Sequence, residues 1–145
     1  TEEMNESLVC VVDKIFHYDF DLSGIDPVVP GQYPGFDDRY IYPDSRLVEK
    51  ALSVYPGLKK VVCASGDSFV DGRQAKEALQ RRSGGQICEM EAAAIALTCR
   101  RAGLPCLLIK AVSDAMDGGG KEYYSQLSAC SEICLQVCDG IIKAL

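Results

Sequence analysis

Cys106-Leu107-Leu108-Ile109-Lys110-Ala111-Val112-Ser113-Asp114 decides the fold class. Apart from Lys110, the run 106–112 is apolar, the composition of a strand covered on both faces, and the segment ends on a carboxylate. A second stretch, Cys88-Glu89-Met90-Glu91-Ala92-Ala93-Ala94-Ile95-Ala96, places two carboxylates at the mouth of an apolar helix. In an open α/β sheet, ligands bind in the crevice beyond the carboxyl ends of the strands. Carboxylates at those ends are therefore candidates for chemistry rather than packing.

Working outward, short β-rich runs stand at 8–12 and 61–64, and helical periodicity is expected at about 45–54, 72–82, 89–102 and 121–144. Strands alternating with helices imply an α/β fold with a largely parallel or mixed central sheet flanked by helices. Asp44 or Ser45, after Pro43, is placed to cap the first helix, and Asp71 with Gln74 has the spacing of a capping box for the second. Tyr123, Leu127, Cys130, Cys134, Cys138, Ile141 and Leu145 recur at steps of three and four, predicting the inner face of the last helix.

Composition narrows the function classes. A chain of 145 residues with 48% hydrophobic content fits one domain, 1–145, and its formal charge of −6 excludes a phosphate-tracking nucleic-acid surface. No stretch approaches the roughly 20 apolar residues of a membrane-spanning helix. Thr1-Glu2-Glu3-Met4-Asn5-Glu6 is the opposite of a basic, then apolar, leader, so the expected location is cytoplasmic. The 8 cysteines stand singly, mostly inside apolar runs and without Cys-x-x-Cys spacing, and are read as buried free thiols rather than metal ligands.

The segment 25–42 lacks periodicity and combines prolines and glycines with Tyr33, Phe36, Tyr40 and Tyr42. It is expected to be an ordered loop that covers a site or contacts a partner chain, with a surface excursion of tucked-in aromatics as the alternative. His17, the only histidine, stands between Phe16 and Tyr18 and is expected to pack rather than catalyse.

Three motifs now stand in order: Ala64-Ser65-Gly66-Asp67-Ser68-Phe69-Val70, then 88–96, then Lys110-Ala111-Val112-Ser113-Asp114-Ala115-Met116-Asp117. Together they resemble the purine nucleoside phosphorylase superfamily, and within it the 5'-methylthioadenosine/S-adenosylhomocysteine nucleosidases. Phe16-His17-Tyr18-Asp19-Phe20-Asp21 and Gly31-Gln32-Tyr33-Pro34-Gly35 look like the family's segment before its substrate-covering loop.

The resemblance implies a residue-by-residue expectation. Asp114 matches the general acid that gives a proton or hydrogen bond to purine N7, with Ser113 orienting its carboxyl group. Such an acid needs burial to hold its proton near neutral pH, because a solvated aspartate titrates at about 3.9. Glu91 matches the residue that accepts from the ribose hydroxyls, and Met90 the neighbour that packs against the sugar. Glu89 matches an acidic position that accepts from the ribose or from a nearby backbone group. Phe69 is expected to stack on the base while the Val70 backbone reads its edge.

The reaction implied is hydrolysis of the N-glycosidic bond of methylthioadenosine or S-adenosylhomocysteine to release adenine, with no metal and no organic cofactor. A phosphorylase, or a non-catalytic nucleoside-binding relative, stays open as an alternative. Family members carry further sequence ahead of the matched region, including the first strands and the groups that activate water or bind phosphate. The chain is thus expected to be the C-terminal part of the family domain. Glu2, Glu3 and Glu6 match none of those motifs. A homodimer, or association with the N-terminal segment, is the expected assembly around a small-molecule nucleoside.

Overall fold

Strand β1 (Val9–His17) pairs along both edges, and the sheet is organised around it. The computed structural model describes residues 1, 4 and 8–145; Glu2, Glu3 and Glu6 lie outside the described residues. On one edge β1 runs parallel to β3 (Lys59–Ser65), from Cys10 opposite Lys59 to His17 opposite Ser65, with a register shift between Val12 and Lys14. Its other edge is shared end to end by two antiparallel strands. β5 (Ile109–Ala111) lies against Val9 to Val11, and β2 (Tyr40–Ile41) against Ile15 and Phe16. Beyond β3, β4 (Ile87–Glu89) continues the sheet in parallel.

A strand bonded on both edges with helices on both faces has no solvent side, which explains the unbroken Val9-Cys10-Val11-Val12 run. Cys10, Val12 and Ile15 pack with Ala92, Ala93 and Ala96 of α3 (Ala92–Ala102). On the opposite face Val11 meets Val48 and Ala51 of α1 (Ser45–Val54) and Ile141 of α4 (Gly120–Lys143). Alanines at the α3 contact let that helix sit close to the sheet, above the strand ends that form the site. The fourth helix, α2 (Arg73–Ser83), follows β3 and packs beside it.

The structure refines several expectations. Asp44 caps α1 by accepting from the Arg46 and Leu47 N–H groups. Asp71 does not cap α2: the N-cap is Gly72 at φ 79°, with no side-chain cap bond. The first strand runs five residues beyond Val12, because β2 and β3 supply partners up to His17. The run 106–112 forms only the three-residue β5, half-buried and antiparallel to β1, instead of a long strand covered on both faces. Glu89, expected to open a helix, is the last residue of β4, and α3 begins at Ala92. On α4, Cys130 and Ile141 are buried, but Leu127 and Leu145 of the expected inner stripe are exposed. Among the cysteines, Cys88 is exposed, while Cys10, Cys63 and Cys130 are buried.

The segment 25–42 is an excursion whose aromatics tuck back onto the domain. Tyr33 stacks on Phe20 at 3.9 Å between centroids, and Tyr33 and Phe36 pack against the core. His17 is tied into this cluster by Tyr33 Oη at 2.6 Å on Nδ1 and by Asp19 at 3.0 Å on Nε2.

Gly66 shows why the turn after β3 needs a residue without a side chain. The Tyr18 hydroxyl donates to the Ser68 carbonyl at 2.8 Å, and the Asp67 N–H donates to Asp19 at 2.7 Å, drawing the turn onto the end of β1. A Cβ at Gly66 would run into the Tyr18 ring and lie 2.7 Å from the Asp19 carboxylate. Gly66→Ala is therefore expected to cost about 1–3 kcal/mol from overpacking. Urea denaturation checks this, with a lower midpoint and an unchanged slope expected.

Candidate functional site

The carboxyl ends of β3 and β4 and the segment after β5 surround one cavity of about 450 Å³. It gathers every residue singled out from the sequence: Phe69 and Val70 from the β3–α2 turn, Glu89, Met90 and Glu91 from the β4–α3 junction, and Ser113 and Asp114 after β5. His17 does not line it.

Phe69 is 48% exposed, and its ring stands T-shaped to that of Tyr123 of α4, with centroids 6.0 Å apart and planes at 73°. A half-exposed phenyl ring on a cavity wall is suited to stacking on a flat ligand. Met90, 44% exposed, adds a flexible apolar contact on the neighbouring wall.

The two glutamates have separate tasks. Glu89 is turned inward, where its carboxylate accepts from the N–H groups of Glu91 and Ala92 and from the Ser65 hydroxyl. It thereby caps α3 from the end of the preceding strand, and the Ser65 hydroxyl in turn accepts from the Ala93 N–H at 3.0 Å. Lys110 Nζ donates to Glu89 Oε2 at 2.6 Å and reaches Glu91 Oε2 only at 3.4 Å. Burial pushes the Glu89 carboxyl up, but the Lys110 hydrogen bond and charge, together with the Ser65 and backbone donors, outweigh it and hold the group below its ordinary value. Burial pushes Lys110 down, and the same pair outweighs it, leaving the ammonium above its ordinary value. The Glu91 side chain, by contrast, is 62% exposed, so its oxygens are accessible to ligand hydroxyls.

Asp114 is held from two sides. The Ser113 hydroxyl donates to Oδ1 at 3.3 Å, and Lys76 Nζ donates to Oδ2 at 2.5 Å. Lys76 also donates to the carbonyls of Ala115 and Gly118, and Glu122 of α4 accepts from the Ala115 N–H at 2.8 Å. The turn that carries Asp114 is thus clamped between α2 and α4. Sequence reasoning left out Lys76, Lys110 and Tyr123. The available signal for Lys76 was its phase: it shares the inner face of α2 with Leu79 and Ser83. Among the described residues, no group of three or more His, Cys, Asp or Glu side chains is placed to hold a metal ion. None of the described helices is long and apolar enough to cross a membrane.

A family model described as the phosphorylase superfamily matches residues 1–145. The chain belongs to the phosphorylase superfamily. Among curated relatives of this superfamily member, the 5'-methylthioadenosine/S-adenosylhomocysteine nucleosidase of Oceanobacillus iheyensis is 34% identical over 111 residues, covering 73% of the chain and 48% of the relative. The aminodeoxyfutalosine nucleosidase of Helicobacter pylori is 31% identical over 118 residues, covering 79% and 50%. The chain spans about half the length of these curated relatives. A crystal structure of the H. pylori methylthioadenosine/S-adenosylhomocysteine nucleosidase, complexed with a pyrrolopyrimidine-bearing pyrrolidine, matches with a TM-score of 0.90 and 25% identity. That match covers 100% of this chain and 64% of the H. pylori chain, consistent with an α/β phosphorylase-superfamily fold present in part.

The Glu89–Lys110 pair has a pH signature. A carboxyl group whose pKa is lowered on folding stabilises the fold above its unfolded value, about 4.5, and loses that stabilisation as pH falls through the lowered folded value. Glu89→Gln is expected to lower stability by about 1–3 kcal/mol at pH 7, since it leaves Lys110 without its short partner. It should also flatten the fall in stability below pH about 4.5. Thermal melts of both proteins across pH 2.5 to 8 test this; parallel curves would show that the pair contributes nothing.

Proposed function

We propose that the cavity binds an adenine nucleoside and that the chain supplies the base- and ribose-binding part of an N-glycosidase acting on methylthioadenosine or S-adenosylhomocysteine. The observation that carries this reading is the convergence, in one cavity, of a half-exposed phenyl ring, an accessible carboxylate and a second carboxylate on a clamped turn. The similarity to a methylthioadenosine/S-adenosylhomocysteine nucleosidase and to an aminodeoxyfutalosine nucleosidase supports the nucleosidase class.

Each group has a role in that reaction. Phe69 stacks on the purine, and the Val70 peptide distinguishes its edge. Glu91 accepts hydrogen bonds from the ribose hydroxyls, which an ionised carboxylate does with both oxygens. As the bond between C1' and N9 breaks, its electron pair moves into the base and the sugar becomes oxocarbenium-like, as in glycoside hydrolysis. Asp114 Oδ1 gives its proton to N7, so the base leaves neutral; water adds to C1' and releases a proton to solvent, from which the Asp114 carboxyl is restored. Glu89 serves the site indirectly, by capping α3 and anchoring Lys110, and the backbone option for this residue is the one its contacts favour.

The test is adenine release from methylthioadenosine and S-adenosylhomocysteine, with and without phosphate. Phosphate-independent release is expected, and Asp114→Asn should reduce it by about 10²-fold or more, the range for loss of a positioned general acid. Glu91→Gln should reduce it while leaving free adenine binding intact. Release that requires phosphate would reassign the reaction to a phosphorylase. Nucleoside binding without release, in the chain joined to an N-terminal segment of the family, would reassign the protein to a binding role.

A further inference from the structure

Lys76 is the most confined cation in the molecule's cavity wall. Its side chain is 8% exposed, and all three ammonium protons are taken: by Asp114 Oδ2 at 2.5 Å, by the Ala115 carbonyl at 2.6 Å and by the Gly118 carbonyl at 3.1 Å. Arg73, one turn earlier on α2, grips the same turn through a two-pronged pair with Asp117, both contacts at 2.7 Å. Two successive cations of one helix therefore hold the segment that carries the acid. A lysine ammonium is a donor only, so Asp114 Oδ2 is fixed as its acceptor and Oδ1 is the oxygen left to a ligand. The Arg73 pair lies at the exposed end of the turn, whereas Lys76 binds both its backbone carbonyls and the reactive carboxyl at the buried end. Of the two, only Lys76 is placed to act on the charge of Asp114.

Resting on the nucleosidase reading above, we infer that Lys76 is a positioning residue for the proton transfer: it stabilises the Asp114 carboxylate that remains once the proton has moved to purine N7. In the reacting complex Oδ1 carries the proton and N7 a lone pair; the ammonium on Oδ2 opposes that protonated state and favours the one that follows it. After transfer, the new N7–H donates back to Oδ1, and the charge left on the carboxylate lies against the ammonium on Oδ2. A charge-assisted contact of this kind is stronger than a neutral one, and it acts only as the charge develops. Lys76 thus favours the state reached during bond cleavage over the bound substrate. It does so through Asp114, without touching the substrate itself.

Two isosteric bases separate the states. Adenine in its main tautomer carries its proton on N9 and a lone pair at N7, and must shift tautomer to donate from N7, whereas 9-deazaadenine carries hydrogen there and resembles the base after transfer. Calorimetric titration of the chain with each base is the experiment, repeated for Lys76→Met, Lys76→Gln and Lys76→Arg, with circular dichroism to establish folding. The wild-type chain is expected to bind 9-deazaadenine about tenfold or more tightly than adenine, as a charge-assisted contact exceeds a neutral one. Lys76→Met should lose most of the preference, read as the ratio of the two dissociation constants within that variant. Lys76→Gln, which keeps a donor but not the charge, should do the same and decides the matter if the methionine variant fails to fold. Lys76→Arg should retain the preference. A preference present in the wild type and unchanged in both neutral variants would overturn the inference while leaving the nucleoside site standing. Failure of the wild type to bind either base would overturn the nucleoside reading itself, and this inference with it.

Discussion

The Glu89 carboxylate is the contact on which the rest of the site depends. It stands at the end of β4, accepts from the first N–H groups of α3, takes the Ser65 hydroxyl from β3 and holds the Lys110 ammonium of β5. One side chain thereby joins three strands and a helix at the end of the sheet where the cavity opens. Burying a carboxylate is costly unless it is paired and fully hydrogen-bonded, and here every direction around it is supplied with a donor. Because Glu89 is satisfied internally, Glu91 two residues later is left to face outward.

The geometry of β1 explains why those strand ends come together. Strand β3 runs along one full edge, while β5 and β2 divide the other between them. Pairing of β5 with the first residues of β1 places the following segment, with Ser113 and Asp114, near the carboxyl ends of the parallel strands. An ammonium from α2 and a carboxylate from α4 then hold that segment from either side. The cavity is thus framed by regular elements, although several of its contact residues lie on turns. A site supported in this way keeps its groups oriented without rigid loops.

Legibility in the sequence followed the range of the interaction responsible. Asp44 was readable as a cap because the N–H groups it satisfies lie two and three residues ahead. The strand and helix types were readable from their periods, and the three motifs in fixed order drew attention to seven residues that line one cavity. Asp71 had equally good local credentials as a cap, yet Gly72 took the position with φ 79°, and the Asp71 carboxylate instead lies near Gly119. The run 106–112 looked like a long buried strand, but regular pairing covers only 109–111; Leu108 and Val112 add single bonds to Val12 and Leu8, and the Cys106 carbonyl accepts from Asp44 instead. Glu89 looked like a helix residue from composition and proved to be a strand end that caps the helix beyond it.

By itself the sequence determined the α/β class and the family likeness, because periodicity and the order of motifs are read directly along the chain. Only the tertiary structure decided what those side chains do to one another. Lys110 meets Glu89 across 21 positions, and Lys76 meets Asp114 across 38. No local pattern specifies such pairs; they exist because sheet pairing and helix packing bring distant ammonium groups to carboxylates that would otherwise be buried without a partner.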